Sequence, residues 1–96
     1  MSGYRLTPAA KWDLSSIWDL SEDCWDVRQA EKYLREIQAA VERIAEDSDR
    51  GRDREDVRAG FRSYAIGSHV VFYRQRGDHI EIVRILHQRM DVDRHL

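Results

Sequence analysis

The 96-residue sequence has one cysteine, one proline, five glycines and a 9% share of aromatic residues. The lone Cys24 excludes an internal disulfide. It has no neighbouring histidine in the sequence, so it reads as a small buried hydrophobe rather than a nucleophile. No apolar run approaches the roughly 18 residues needed to cross a bilayer, and Met1-Ser2-Gly3-Tyr4-Arg5 lacks the apolar stretch of a secretory signal. A cytoplasmic protein without a membrane partner is expected. A surplus of one charge is also missing. The net charge is −2, which argues against a nucleic-acid binder held by bulk electrostatics.

The charges are unevenly placed. Met1 to Ser48 carries six Lys/Arg against ten Asp/Glu, and Asp49 to Leu96 carries ten Arg against eight Asp/Glu. All four histidines (His69, His79, His87 and His95) lie in the second part, where every cation is arginine, the side chain suited to planar contact with carboxylate or phosphate. A chain of this length builds one modest core and hides about 60–65% of its unfolded surface. A single domain over residues 1–96 is expected, with a permanent partner adding stability by mass action.

Hydrophobic spacing predicts the elements. Tyr4-Arg5-Leu6 reads as a short first strand, and Thr7-Pro8 as an N-cap followed by proline at the first helical position. Ala10, Leu14, Ile17, Trp18 and Trp25 draw an apolar stripe on a helix of about Pro8 to Cys24. Asp26 with Gln29 resembles a capping box and starts a second helix, with a stripe of Ala30, Leu34, Ile37, Val41, Ile44 and Ala45. Two such helices with a short connection form an antiparallel hairpin. Asp47 to Gly60 is nearly all charge and reads as a solvated loop. Phe61–Ile66, His69–Arg76 and His79–Leu86 then read as three strands reversed at Gly67-Ser68 and Gly77-Asp78. The alternation slips within the last strand, which implies a bulge near Ile82-Val83 or a strand covered on both faces. The expected class is α+β, a helical hairpin packed on a mainly antiparallel sheet in the order β-α-α-β-β-β.

Chemistry is sparse by comparison. The histidine spacings fit no compact ligand pattern, so no metal and no cofactor are expected. Arg62, Arg74 and Arg84 fall on three neighbouring strands, with His87 and Arg89 just past the last. Such a set suits phosphate oxygens, with His87 as a general acid, but no general base accompanies it. Paired with local carboxylates, the same arginines make an ordinary solvated face; for Arg84 the expected partner is Asp91 or Glu81. Trp18 and Trp25 are expected in the core. Trp12 lies off the stripe, where an exposed tryptophan suits a partner protein.

Several segments together resemble the ParE toxins of type II toxin–antitoxin modules, within the RelE/ParE superfamily. They are Tyr4-Arg5-Leu6-Thr7-Pro8-Ala9-Ala10, Asp13-Leu14, Ile17-Trp18, Ala30-Glu31-Lys32-Tyr33, Gly60-Phe61-Arg62-Ser63-Tyr64, Gly67 through Arg74, and Val83 through Asp91. The resemblance implies a RelE/ParE fold and a non-enzymatic toxin that arrests growth by binding DNA gyrase. It also implies a ParD-like antitoxin in a heteromeric complex, with DNA reached only through that antitoxin. The target-binding residues implied are Arg62, Arg74, Arg84, His87, Arg89 and Met90. Those implied for the antitoxin are Trp12, Trp18, Tyr33, Phe61 and Arg74, and no catalytic residue is expected. The alternative is a RelE-like, ribosome-dependent messenger-RNA endonuclease.

Overall fold

The computed structural model describes residues 3–24, 26–90 and 92–96, and for 20–24 and 93 the backbone alone. Strand β1 (Gly3–Leu6) leads into helix α1 (Pro8–Cys24) and helix α2 (Val27–Glu46). A 3₁₀ turn at Ser48–Arg50 and a two-residue strand β2 (Arg52–Asp53) follow. Then come β3 (Phe61–Ile66), β4 (His69–Arg76), β5 (His79–His87) and a short helix α3 (Val92–His95). The five strands form one sheet in the order β1-β5-β4-β3-β2. β1 runs parallel to β5 and the remaining pairs are antiparallel. No helix of the described chain is long and apolar enough to cross a membrane.

Local chemistry explains the boundaries. The Thr7 hydroxyl accepts the Ala10 amide at 3.0 Å and so caps α1. Asp26 Oδ1 accepts the Gln29 amide at 2.9 Å and caps α2. The tight turn at Gly67 requires φ +56°, and a Cβ there would meet the Tyr33 ring at 2.6 Å, so only glycine fits. The charged segment is more ordered than its composition implies. It holds the 3₁₀ turn and β2, and Arg62 of β3 reaches across to the Gly51 carbonyl at 2.9 Å.

The helical hairpin covers one face of the sheet. Ile37, Val41 and Ile44 of α2 meet Val71, Tyr73, Ile80, Ile82 and Ile85, with Ala10 and Ile17 of α1 closing the core. Of the two readings of the irregular last strand, the bulge holds. β5 lies between two neighbours, and Val83 is an extra residue, since Phe72 faces Arg84 while Tyr73 faces Ile82. Trp18 is half-buried rather than core, and Trp25 lies outside the described residues. Alternation from Val71 and Tyr73 turns Phe61, Phe72 and Leu86 to the other face. They are buried there, with Arg54 stacked 5.5 Å from the Phe72 ring and Arg74 5.8 Å from that of Phe61.

Tyr73 ties the loop to the core. Its ring is buried, its hydroxyl donates to the Ser48 carbonyl at 2.6 Å, and it accepts the Gly51 amide at 2.9 Å. Tyr73→Phe leaves both backbone groups without a partner and is expected to cost about 1–3 kcal/mol. That corresponds to a drop in Tm of roughly 4–8 °C per kcal/mol for a domain this small. A thermal melt unchanged from wild type would refute the tie.

Candidate functional site

β1 ends at Leu6, so the edge of β5 beyond Ile82 has no neighbouring strand. α1 serves that edge with side chains instead. Thr7 donates its hydroxyl to the Val83 carbonyl at 2.7 Å, and Asp13 Oδ2 accepts the Ile85 amide at 2.9 Å. Arg84 reaches round the same edge and grips Asp13 with both ends of its fork, Nε to Oδ2 at 2.8 Å and Nη2 to Oδ1 at 2.7 Å. Asp13 is only 5% exposed. The short, bidentate pairing raises the Arg84 pKa, with burial opposing it. Of the two partners expected for Arg84 from the sequence, Glu81 is held by Arg74 Nε at 2.8 Å, and Asp91 lies outside the described residues.

The structure divides the expected arginine–histidine set among separate surfaces. Arg62 points to the helical side, where it bonds Gly51 and sits 3.5 Å from Asp49. Arg74 and Arg84 lie on the opposite face, together with Arg58 from the loop. These three line a groove of about 370 Å³ with Phe61, Val83 and the chain end at His95–Leu96. His87 lies at the far end of β5, again on the helical side. Arg89 and Met90 follow it and are exposed.

His87 belongs to a different cluster. It is the cross-strand neighbour of His69, and the two rings meet edge to face with centroids 5.4 Å apart. Tyr33 from α2 places its hydroxyl 2.6 Å from His69 Nδ1 and accepts the Ser68 amide at 3.1 Å, clamping the β3–β4 turn. Burial raises the Tyr33 pKa, assisted by Glu36 and opposed by the Ser68 hydrogen bond. Burial lowers that of His69, reinforced by His87 and opposed by Asp13. His87 Nδ1 accepts the Arg89 amide at 3.1 Å, so its neutral form carries the proton on Nε2. Among the described residues, no group of three or more His, Cys, Asp or Glu side chains is placed to hold a metal.

A second concavity lies on the helical side. Tyr4 and Leu6 of β1, Leu14 of α1, and Leu34, Ile37 and Val41 of α2 line an apolar groove of about 280 Å³. The helical stripes pointed to Leu14, Leu34, Ile37 and Val41 as core, and nothing in their spacing shows that part of the stripe stays open. Trp12 is 67% exposed, as its position off the stripe implied. Two residues from Leu14, it projects from the other side of α1. Phe61 and Arg74 lie across the sheet from Tyr33, so the residues expected to meet an antitoxin occupy two faces.

Residues 4–92 match the family described as ParE toxin of type II toxin–antitoxin system, parDE. The chain belongs to the ParE toxin family. It is 51% identical over 96 residues to Toxin ParE1 of Mycobacterium tuberculosis strain H37Rv, covering 99% of this chain and 98% of that one. To Toxin ParE1 of Caulobacter vibrioides it is 52% identical over 96 residues, covering 100% and 99%. A solved structure, the chromosomal ParDE TA system from P. aeruginosa, superposes with a TM-score of 0.79 at 24% identity. It covers 91% of this chain and 96% of the other, and it shares the fold. In this ParE-family chain, Asp13 is the residue whose importance the spacing of the sequence did not disclose.

Two outcomes follow from the geometry. Asp13→Ala strands the Arg84 guanidinium, whose side chain is 18% exposed, and leaves the Ile85 amide without its acceptor. It is expected to destabilise the fold by about 3–5 kcal/mol, and Arg84→Ala by a comparable amount because it leaves Asp13 buried and charged. The double variant should recover part of the loss, measured as coupling in a urea-denaturation cycle; strict additivity would contradict the pairing. The second outcome concerns pH. His69 holds a proton less readily folded than unfolded, so below the ordinary histidine value of about 6.5 the unfolded chain binds more protons. Stability is therefore present above that value and falls as pH drops through it. His69→Gln should flatten the slope between neutral and mildly acidic pH, and an unchanged slope would assign it to other groups.

Proposed function

We propose that this chain arrests growth by binding DNA gyrase without catalysis, and that a ParD-like antitoxin neutralises it in a heteromeric cytoplasmic complex. The observation that carries the reading is the match to the ParE family over residues 4–92, joined to relatives named Toxin ParE1 along nearly the whole chain. The geometry favours binding over nuclease chemistry. A general acid–base pair must reach one reacting site together, whereas His87 and the Arg74–Arg84 surface lie on opposite faces of the sheet. The carboxylates described on that surface are engaged, Glu81 by Arg74 and Asp13 by Arg84.

The apolar groove between β1, α1 and α2 is the natural seat for an amphipathic antitoxin segment. To reach Trp12 as well, that segment must cross over α1. Leu34→Glu places a charge in the half-exposed wall of the groove and should weaken antitoxin binding at least tenfold, or about 1.4 kcal/mol. Trp12→Ala is expected to weaken it only if the segment wraps the helix; unchanged affinity would remove Trp12 as an anchor.

The target is tested by a plasmid supercoiling assay with purified gyrase and folded, antitoxin-free protein. Inhibition with accumulation of cleaved DNA is the expected result, weakened by Arg89→Ala at an exposed position outside the core. Full supercoiling at high toxin, accompanied by cleavage of ribosome-bound message, would replace gyrase binding with the nuclease alternative.

A further inference from the structure

Strand β2 covers only part of the edge it pairs with. It lies beside Arg62 and Ser63, and the chain before it leaves the edge at Gly51, whose amide is held by the Tyr73 hydroxyl on the helical side. Tyr64–Ile66 of β3 therefore have β4 on one side and no strand on the other. The ladder fixes which groups stay open. The Phe61 carbonyl accepts the Arg54 amide at 2.9 Å on the outer side, so the alternation of an antiparallel strand turns Ser63 and Ala65 outward as well. Ser63 is met by Arg52, whereas Ala65 is exposed and its amide and carbonyl make no hydrogen bond with a described residue. Tyr33 fixes the end of this edge, with its hydroxyl 3.3 Å from the Ile66 carbonyl. An ordered strand edge with open main-chain groups is a template for a further strand.

The flank of α2 beside this edge is cationic. Lys32, Arg35, Ala39 and Arg43 recur at three- and four-residue steps and, with Glu36 and Ile66, line a groove of about 290 Å³. Lys32 and Arg43 are exposed and make no hydrogen bond or ion pair with a described residue. Arg35 holds Glu31 one turn away at 3.4 Å, an exposed pair of the kind that contributes little. Of the acids nearby, Glu42 accepts Gln38 at 3.4 Å and Asp49 lies 3.5 Å from Arg62. A second copy pairing on this edge would bring the same cations together, whereas an acidic partner complements them. In a strand laid along Ala65, the residue opposite it faces away from the helices, and its two neighbours face α2. Those two positions suit carboxylates. We propose that the edge of β3 at Tyr64–Ile66 and the cationic flank of α2 form a docking site for an extended acidic segment of a partner protein, which adds a strand in line with β2. The site lies across α2 from the apolar groove of Leu34, Ile37 and Val41, so one straight segment does not fill both. It goes beyond the proposed toxin function and does not rest on it.

The probe is the capped peptide Thr-Glu-Val-Glu-Thr, titrated at constant ionic strength into the full-length protein and followed by amide and side-chain resonances. Saturable shifts are expected at Tyr64, Ala65 and Ile66 and at Lys32 and Arg43, with slower hydrogen exchange at the Ala65 amide. The uncharged peptide Thr-Gln-Val-Gln-Thr should bind at least tenfold more weakly. Ala65→Pro removes the outward amide at an edge position that tolerates proline, and should weaken the response at least tenfold. The double variant Lys32→Gln/Arg43→Gln should do the same, and serves if the proline perturbs folding. Arg76→Ala, an exposed cation at the other end of β4, should leave the response unchanged. No saturable shift, equal binding of the two peptides, or a response that both variants leave intact would overturn the proposal. Shifts confined to Lys32 and Arg43 with Ala65 unmoved would also overturn it, reducing the groove to a non-specific anion patch. Concentration-dependent shifts at Ala65 without peptide would overturn it in favour of a second copy of the chain. Because the readout involves neither gyrase nor antitoxin, its failure leaves the proposed toxin function untouched.

Discussion

The Asp13 carboxylate is where this fold is held together. A five-stranded sheet whose first strand stops at Leu6 leaves half of β5 with no strand on that side, and a buried unpaired edge costs free energy at every unmet amide. α1 solves this with a hydroxyl on one carbonyl and a carboxylate on one amide. The carboxylate, once buried, requires a cation. Arg84 supplies one without leaving the sheet, because it sits beside the amide that Asp13 accepts. Edge satisfaction, helix placement and ion pairing are therefore one constraint. Thr7 takes part as well, since its hydroxyl caps α1 while donating to β5.

The bulge at Val83 decides which face carries which chemistry. In a regular strand, Ile80 and Ile82 on the helical side would be followed by Arg84 and Leu86 on that same side. A guanidinium would then sit within the apolar layer beneath the helices. The extra residue inverts the phase, so that Ile85 enters the core with Ile82, while Arg84 and Leu86 turn to the opposite face. His87 is thereby placed on the helical side against His69 and Tyr33. Alternation alone sets Arg84 and His87, three positions apart, on opposite faces, and the inserted residue decides which face each one takes.

This separation also marks the limit of what the sequence discloses. Both helices, their caps, the three antiparallel strands and the slip in β5 are written in local spacing and turn residues, and the structure has them. β2 is not, because its two residues, Arg52 and Asp53, are charged and gain strand geometry only from pairing with β3. Nor is the pairing of Arg84 with a residue 71 positions earlier in the chain. A carboxylate on an amphipathic helix reads as solvent-facing, and only the missing neighbour of β5 makes burial of Asp13 favourable. The arginine cluster was visible as composition, but its division among surfaces follows from strand phase, which a one-residue uncertainty reverses.

A chain of 96 residues has little buried surface to spare, and here the two sheet faces are secured differently. The helical side is an apolar core, with a hairpin fixed by Ile37, Ile44 and the Tyr33 clamp. The opposite side holds Phe61, Phe72 and Leu86 beneath arginine side chains and a short chain end, whose apolar stems exclude water while the charged heads stay at the surface. That cover shields the aromatic rings. Any contact on the helical side must engage the groove or the edges that the core leaves open. The Asp13–Arg84 pair lies at the boundary between the two faces, joining α1 to the strand whose side chains reach both.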